Sequence, residues 1–404
     1  MDRSDHDIVV VGAGIAGSAL AVALAAQGWR VCLVEARELV TDLAVPGEGV
    51  CGFDPRVSAL TPASVILLDS LDAWAAIAAA RSCAYRHMHV WDAEGSGAID
   101  FDCAELGADQ LGTIVENRLI TGALAARLVA EAGIDLRTPR RVSELHRDPS
   151  GRPRLALDDG SEVSGGLVVG ADGALSRLRE LGDFTTREWD YGHHALACTV
   201  ETEHHHRWTA WQRFLDSGPL AFLPLPSRDD RHYCSIVWSL EPSLAERVTA
   251  LDEDAFCGEL GAAIEYRLGG ILASSPRLSF PLRQRHAVDY VQPGLALVGD
   301  AAHTIHPLAG QGINLGLQDV NALAGELAVA ARRGESPGEL AVLRRYQRRR
   351  KGENLLMMAA MDGFKQLFGA RALPVRWLRN EGMRLVGRAA PLKRRIMRHA
   401  MGVR

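Results

Sequence analysis

Six residues near the N-terminus, Gly12-Ala13-Gly14-Ile15-Ala16-Gly17, constrain this chain more than any other feature. They follow an apolar run, Asp7 to Val11, that reads as a buried strand, and they open an alanine-rich stretch, Ile15 to Gln27, that reads as a helix. A second strand is expected over Arg30 to Glu35. Strand, glycine turn, helix and strand begin a doubly wound parallel sheet. The first glycine permits the tight turn, the second lets a pyrophosphate approach the backbone, and the third lets helix and strand pack closely. An anion there meets the free N–H groups and the positive dipole of a helix N-terminus. Glu35 ends the second strand, where a carboxylate accepts bonds from a ribose diol and repels a 2′-phosphate. FAD or NAD therefore suits the turn better than NADP.

A chain of 404 residues with 47% hydrophobic and 24% charged residues has room for two packed domains, or for one α/β domain with an insertion. This balance excludes disorder and collagen-like repeats for the bulk of the chain. A net charge of −5 gives no case for nucleic-acid binding. The seven cysteines are Cys32, Cys51, Cys83, Cys103, Cys198, Cys234 and Cys257. They are scattered and form no CxxC pair, which argues against a disulfide framework and a zinc site. The N-terminal residues lack the basic start of a signal peptide. No run approaches the ~20 apolar residues that span a bilayer. A soluble protein of a reducing, cytoplasmic compartment is expected.

Two later motifs distinguish FAD from NAD. Leu167 to Gly173 (LVVGADG) and Leu295 to His303 (LALVGDAAH) each read as a strand that places an aspartate, Asp172 or Asp300, at the carboxyl edge where open α/β sheets bind ligands. Asp300, after Gly299, is suited to bond a ribityl hydroxyl. Gly310-Gln311-Gly312 then permits the backbone to approach a flat ring, and the helix expected over Asn314 to Arg332 aims its N-terminus at that ring. Reduced flavin carries negative charge around N1 and C2=O, which a positive helix end stabilises. Another helix is expected over Leu119 to Ala132. A plain NAD dehydrogenase has no need of this second cradle.

Two stretches have β texture. Tyr85 to Phe101 reads as a hairpin around Glu94-Gly95-Ser96-Gly97, and Leu196 to Leu240 reads as strands punctuated by Pro219, Pro224 and Pro226. They imply a second, β-rich domain inserted into the first. The C-terminal region reads as helical and strongly basic. From Ala341 to Arg404 it holds 17 Lys and Arg against 3 Asp and Glu, a balance of +14 that leaves −19 for the rest. Leu392, Ile396, Met397, Ala400 and Met401 share one helix face, ringed by Lys393, Arg394, Arg395 and Arg398. That pattern suits docking onto the protein's own core as well as onto an anionic membrane or an acidic partner.

In this order the three motifs resemble the aromatic-hydroxylase family of FAD-dependent monooxygenases, the para-hydroxybenzoate hydroxylase class. RVSALTPAS (Arg56 to Ser64), VENRLI (Val115 to Ile120), WDYGHHAL (Trp189 to Leu196), AFLPLP (Ala221 to Pro226) and GDAAHTIHPLAGQGINLGLQD (Gly299 to Asp319) are similar to the ubiquinone-biosynthesis hydroxylases within it. So is the C-terminal stretch RRYQRRR…LPVRWLRNEGM, and the resemblance covers nearly the whole chain. It implies a cycle in which NAD(P)H or another donor reduces FAD, O2 adds at flavin C4a to give a hydroperoxide, and its distal oxygen attacks the ring of a polyprenylated phenol or quinol. By the same resemblance Gly12, Gly14, Gly17 and Glu35 hold the ADP half. Arg56 and Arg118 lie near the phosphates and ribityl chain, and Asp172 matches the aspartate–glycine motif. Gly299 and Asp300 hold the ribityl chain, Pro307 and Gly310, Gln311 and Gly312 border the ring, and Asn314 follows in the same cradle.

The substrate-pocket candidates are Phe222, Leu223 and His306. Phe222 and Leu223 are adjacent, so on a strand only one of them faces the pocket. His303 reads as packing within the flavin cradle, and His204-His205-His206 as an exposed loop. No residue stands out as a catalytic base, and the ring position that is hydroxylated stays open. The fold implied is a discontinuous, Rossmann-like FAD domain (residues 1–84, 102–182 and 277–335). Into it is inserted a β-rich substrate domain (85–101 and 183–276), and C-terminal helices follow (336–404). The function implied is ring hydroxylation in ubiquinone biosynthesis, with other proteins of that pathway as partners and a basic C-terminus that can touch the inner membrane. The alternatives are a flavin monooxygenase of another apolar aromatic, or a non-catalytic flavin-bearing subunit. Halogenation lacks its WxWxIP sequence.

Overall fold

The computed structural model describes residues 5–44, 47–304, 312–369 and 373–402. Among these residues the strands form three sheets. The first runs in the order Val291–Gln292, Leu295–Leu297, Glu162–Gly170, Asp5–Val11, Val31–Val34 and Ile134–Arg137. Its central strands are parallel, with Val9 between Cys32 and Val168. Helices cover such a sheet on both faces, which is why its strands read as unbroken apolar runs. Ile8, Val9, Val10, Leu33 and Leu167 to Val169 are all fully buried. The helix Ile15–Ala26 packs across this sheet and against the helices Asn117–Ala130 and Gly312–Arg333.

The second sheet is antiparallel around the long strand Thr186–Thr202, which pairs with His232–Leu240 on one side and Leu278–Ala287 on the other. Beyond His232–Leu240 come Gly218–Pro224, Thr209–Leu215 and the hairpin His87–Asp92 and Ala98–Asp102. One face of this sheet packs on the helices Pro242–Ala250 and Glu253–Ala263. Leu196, Cys198, Phe222, Ile236, Trp238 and Phe256 form the core there. The opposite face carries the alternate residues, among them Ala221, Leu223 and Tyr233. A small third sheet, Val57–Leu60, Gly112–Glu116 and Cys83–Tyr85, packs against that face.

The C-terminal helices Leu340–Gly369, Leu373–Arg388 and Ala390–Ala400 fasten the two large sheets together. On the long helix Leu340–Gly369, Tyr346 donates to the Leu297 carbonyl at 2.8 Å, and Asp362 accepts from Tyr191 at 2.9 Å. At its far end Phe368 stacks on Phe214 with ring centroids 3.8 Å apart. Arg379 on the following helix pairs with Asp92 at 2.6 Å, and both side chains are almost fully buried.

Three expectations change. The strand Leu278–Ala287 pairs in the second sheet, so the cofactor sheet regains the chain only at Val291, not at residue 277. His206 is not in an exposed loop. It is 1% exposed, lies 2.9 Å from the Leu225 carbonyl through Nε2, and accepts the Trp208 N–H at Nδ1. Burial pushes its pKa down to about 4. The C-terminal apolar face divides in two. Met397 and Met401 are buried against Cys103 and Leu111, whereas Leu392 and Ile396 are exposed. Lys393 belongs to the docked side, donating to the Asp100 carbonyl at 3.0 Å and pairing with Glu105 at 2.5 Å.

Candidate cofactor site and substrate cavity

The glycine turn shows a physical reason for two of its three glycines. Gly12 has φ +102°, and a Cβ there would lie 2.6 Å from the Ala171 carbonyl oxygen. At Gly17 a Cβ would lie 1.9 Å from the Gly12 oxygen, so only glycine lets helix and turn approach this closely. Gly14 is the opposite case. A Cβ there would meet nothing within 4 Å, so this position is an open cradle. No side chain caps the helix that starts at Ile15, which leaves its first N–H groups facing the cradle. Glu35 sits beside it, accepting the Ala13 N–H at 2.6 Å and the Arg37 N–H at 3.0 Å.

Asp300 lies on the short turn after Leu295–Leu297, at the edge of a cavity of about 210 Å³. Its side chain opens to the cavity although protein surrounds it, and its carboxylate bonds to no other described residue. Burial holds its pKa above the usual carboxylate range, against the pull of the His303 charge. Gly299 before it has φ +59° and donates its N–H to Asp319 at 3.0 Å. Asp319 is fully buried; it also lies 2.5 Å from His303 Nε2 and accepts from Arg350 Nε at 2.7 Å. Burial alone would raise its pKa, but His303 and Arg350 outweigh this and lower it.

Arg56 and Arg118 are brought to one region by Asp54, which accepts both their backbone N–H groups, at 2.9 and 3.3 Å. Glu116 fixes the same loop. It accepts the Asp54 N–H at 2.6 Å and forms a buried two-point pair with Arg81 at 2.6 and 2.8 Å. Neither Arg56 nor Arg118 pairs its guanidinium with a described carboxylate.

Two expected cofactor residues are otherwise engaged. Asp172 accepts from Ser176 at 2.5 Å and from the Leu178 N–H at 3.1 Å, so it braces its own loop. Asn314, 1% exposed, accepts from the Thr61 N–H and the Ser64 hydroxyl and donates to the Ala59 carbonyl. It therefore pins the start of the helix Gly312–Arg333 to the neighbouring loop. Gly312 lines the cavity, and no described residue lies within 4 Å of its Cβ position. His306, Pro307, Gly310 and Gln311 lie outside the described residues.

The cavity floor is the second sheet's face. Ala197, Val237 and Ala221 lie side by side across three strands, with Leu223 and Ser239 adjacent. Arg56, Ser58, Asn117 and Asp300 stand on the opposite side, toward the glycine turn's domain. Phe222 is not a cavity residue. It is 0% exposed in the core on the far face of the sheet, and Leu223 alone of the pair lines the cavity.

An open glycine turn at a helix N-terminus with a glutamate beside it, a second acidic turn and a largely apolar cavity between two sheets accord with what relatives show, that the chain is an FAD-dependent monooxygenase. The FAD binding domain family matches residues 5–358, and the chain belongs to it. Within it, the chain is a member of the ubiquinone-biosynthesis hydroxylases. It is 38% identical over 405 residues to 3-demethoxyubiquinol 3-hydroxylase of Escherichia coli K12, covering 100% of both chains. It is 38% identical to the ubiquinone hydroxylase UbiL of Rhodospirillum rubrum, covering 98% of this chain and 89% of the relative. To the human mitochondrial ubiquinone biosynthesis monooxygenase COQ6 it is 33% identical, covering 98% and 92%. Among solved structures, p-nitrophenol 4-monooxygenase PnpA of Pseudomonas putida shares the fold at a TM-score of 0.77 and 19% identity, with full coverage of both chains.

FAD fits the residues present. Among the described residues the cradle at Gly14 is open, the Asp300 carboxylate has no partner, and the Arg56 and Arg118 guanidinium groups pair with no acid. Asp300→Ala should therefore weaken FAD retention about tenfold, the size of one lost hydrogen bond to a buried hydroxyl. The melting temperature of the FAD-free protein should not fall, because no protein bond is lost. Glu35→Ala should lower both, since Ala13 also loses its acceptor. Dialysis against FAD with a thermal melt checks this, and unchanged FAD retention in both variants refutes the placement.

Proposed function

We propose that the chain hydroxylates the aromatic ring of a polyprenylated phenol or quinol in ubiquinone biosynthesis, using O2 and NAD(P)H or another donor. The observation that supports this reading most is the cavity, apolar on its floor and edged by the open carboxylate of Asp300. Bound there, FAD supplies the electrons and the oxygen activation that place one oxygen atom on the ring and release the other as water. The chain's own residues do the rest. Gly12, Gly14 and Gly17 admit the pyrophosphate, Glu35 and Asp300 orient the sugar hydroxyls, and Arg56 and Arg118 face the phosphates and ribityl chain. Ala221, Leu223 and Val237 keep water from the reacting face.

Deletion of the gene should accumulate a prenylated ring intermediate one oxygen atom lighter than the product, read by mass spectrometry. Normal quinone levels would overturn the assignment. A non-catalytic, scaffolding role among pathway proteins is separated by oxygen consumption. Substrate-dependent uptake by the purified protein supports the enzyme, and its absence supports the scaffold.

No single helix among the described residues is long and apolar enough to cross a membrane. We infer peripheral contact instead, through the exposed Leu392 and Ile396 flanked by Arg394, Arg395 and Arg398. Reversing the charge of those three arginines should release the protein from anionic vesicles, and salt should do the same by screening within ~8–10 Å. Lys393 is unsuitable for this test, because it holds the helix to Asp100 and Glu105. Binding indifferent to both changes would refute the contact.

A further inference from the structure

The Asp300 turn rests on a buried charge cluster drawn from three distant parts of the chain. Asp319, at 0% exposure, takes the Gly299 N–H and His303 on one oxygen and Arg350 on the other. Arg350, at 3% exposure, also donates to Asn354 at 2.8 Å and pairs with Glu353 at the solvent edge. Asn354 reaches the Tyr290 hydroxyl at 3.3 Å. Arg350 itself bonds to no cavity-lining residue among the described residues.

We propose that Arg350 is a positioning residue for the flavin, acting as the counter-charge that keeps the Asp319 carboxylate from opposing the helix N-terminus at Gly312. Asp319 and Gly312 lie on one helix, seven residues apart, which is about 10 Å along its axis. The N-terminus offers roughly half a positive charge to an anion placed before it. A bare carboxylate two turns behind would cancel that advantage, because buried charges escape screening by salt. At about 10 Å and an effective dielectric of about 20, one uncompensated charge changes the affinity for an anion roughly tenfold. His303 opposes that charge on one side, and Arg350 adds a permanent positive charge from the C-terminal helix on the other. The Gly299 N–H and His303 then stay fixed on either side of Asp300.

Three variants test this with the holoenzyme, the readout being the midpoint potential of bound flavin by dye equilibration. Arg350→Met removes one positive charge and leaves Asp319 with His303 alone, and should weaken binding of reduced relative to oxidised flavin about tenfold, or about 30 mV downward for a two-electron couple. Asp319→Asn removes the negative charge while keeping the side chain's shape, and should move the potential upward. The double variant restores neutrality and should return the potential close to that of the parent. Shifts of the same sign in the two single variants, a double variant as low as Arg350→Met, or unmoved potentials beside a lowered melting temperature would each reduce Arg350 to a merely structural role. Should Arg350→Met fail to fold, the near-isosteric Asp319→Asn still decides, since no upward shift overturns the proposal. A parent chain that takes up no FAD overturns the cofactor assignment itself.

Discussion

Phe222→Ala and Leu223→Ser, adjacent substitutions on one strand, should damage the protein in separate ways. Phe222 is fully buried among Leu196, Ile236, Trp238 and Phe256. Truncating it leaves a cavity that should cost about 3–5 kcal/mol of stability. Flavin content and the yield of hydroxylated product per coenzyme should be unchanged below the melting temperature. Leu223 is 5% exposed on the cavity side. A serine there admits water to the face where oxygen is transferred, so hydrogen peroxide per coenzyme oxidised should rise several-fold while flavin reduction stays intact. Peroxide yield and thermal melts on both variants, with a short-chain prenylphenol, check the pair. Uncoupling in Phe222→Ala but not in Leu223→Ser would show that the strand's facing has been assigned the wrong way round.

Breaking the buried Arg379–Asp92 pair should be costly. Besides the 2.6 Å pair, Arg379 donates to the Phe368 carbonyl at 2.9 Å at the end of the long helix, and it lies over the Phe368 ring. Arg379→Met strands the Asp92 charge in a site that is 2% exposed. The expected loss is about 3–5 kcal/mol, measured by chemical denaturation. Asp92→Asn in the same chain should recover much of it, because no bare charge then remains. A single-variant loss below about 1 kcal/mol, the scale of an exposed pair, would refute the claim that this contact holds the helix Leu373–Arg388 to the sheet.

The cofactor half was largely legible before any coordinates, for a physical reason. Glycine at a positive φ and glycine at a close approach have no substitutes, so Gly12 and Gly17 declare themselves by spacing. Strands buried on both faces likewise announce themselves as apolar runs. What stayed hidden depends on register and partners. Phe222 and Leu223 could be told apart only once cross-strand pairing fixed which parity faces the cavity. Asp54, Arg81 and Glu116, which set the loop bearing Arg56, are ordinary charged residues in the sequence. Glu116 lay within a recognised motif without revealing its partner. Arg350 is one of five arginines between Arg344 and Arg350, and nothing in that run marks the one that is buried. Asn314 and Asp172 resemble ligand contacts by position, yet their bonding capacity goes to the backbone turns around them.

The order of strands in the first sheet also bears on how the protein is made. Asp5–Val11 is synthesised before both of its neighbours, one at Val31–Val34 and the other at Glu162–Gly170. The turn with Asp300 comes much later, and the guanidinium that steadies it comes later still, at residue 350. The N-terminal strand thus spends much of synthesis with one edge open, the arrangement that slows folding and exposes a chain to mispairing. FAD loading should accordingly follow the emergence of residue 350, if Arg350 steadies that turn. The sheet of the glycine turn is completed by Glu162–Gly170, well before residue 350 is there to steady the Asp300 turn.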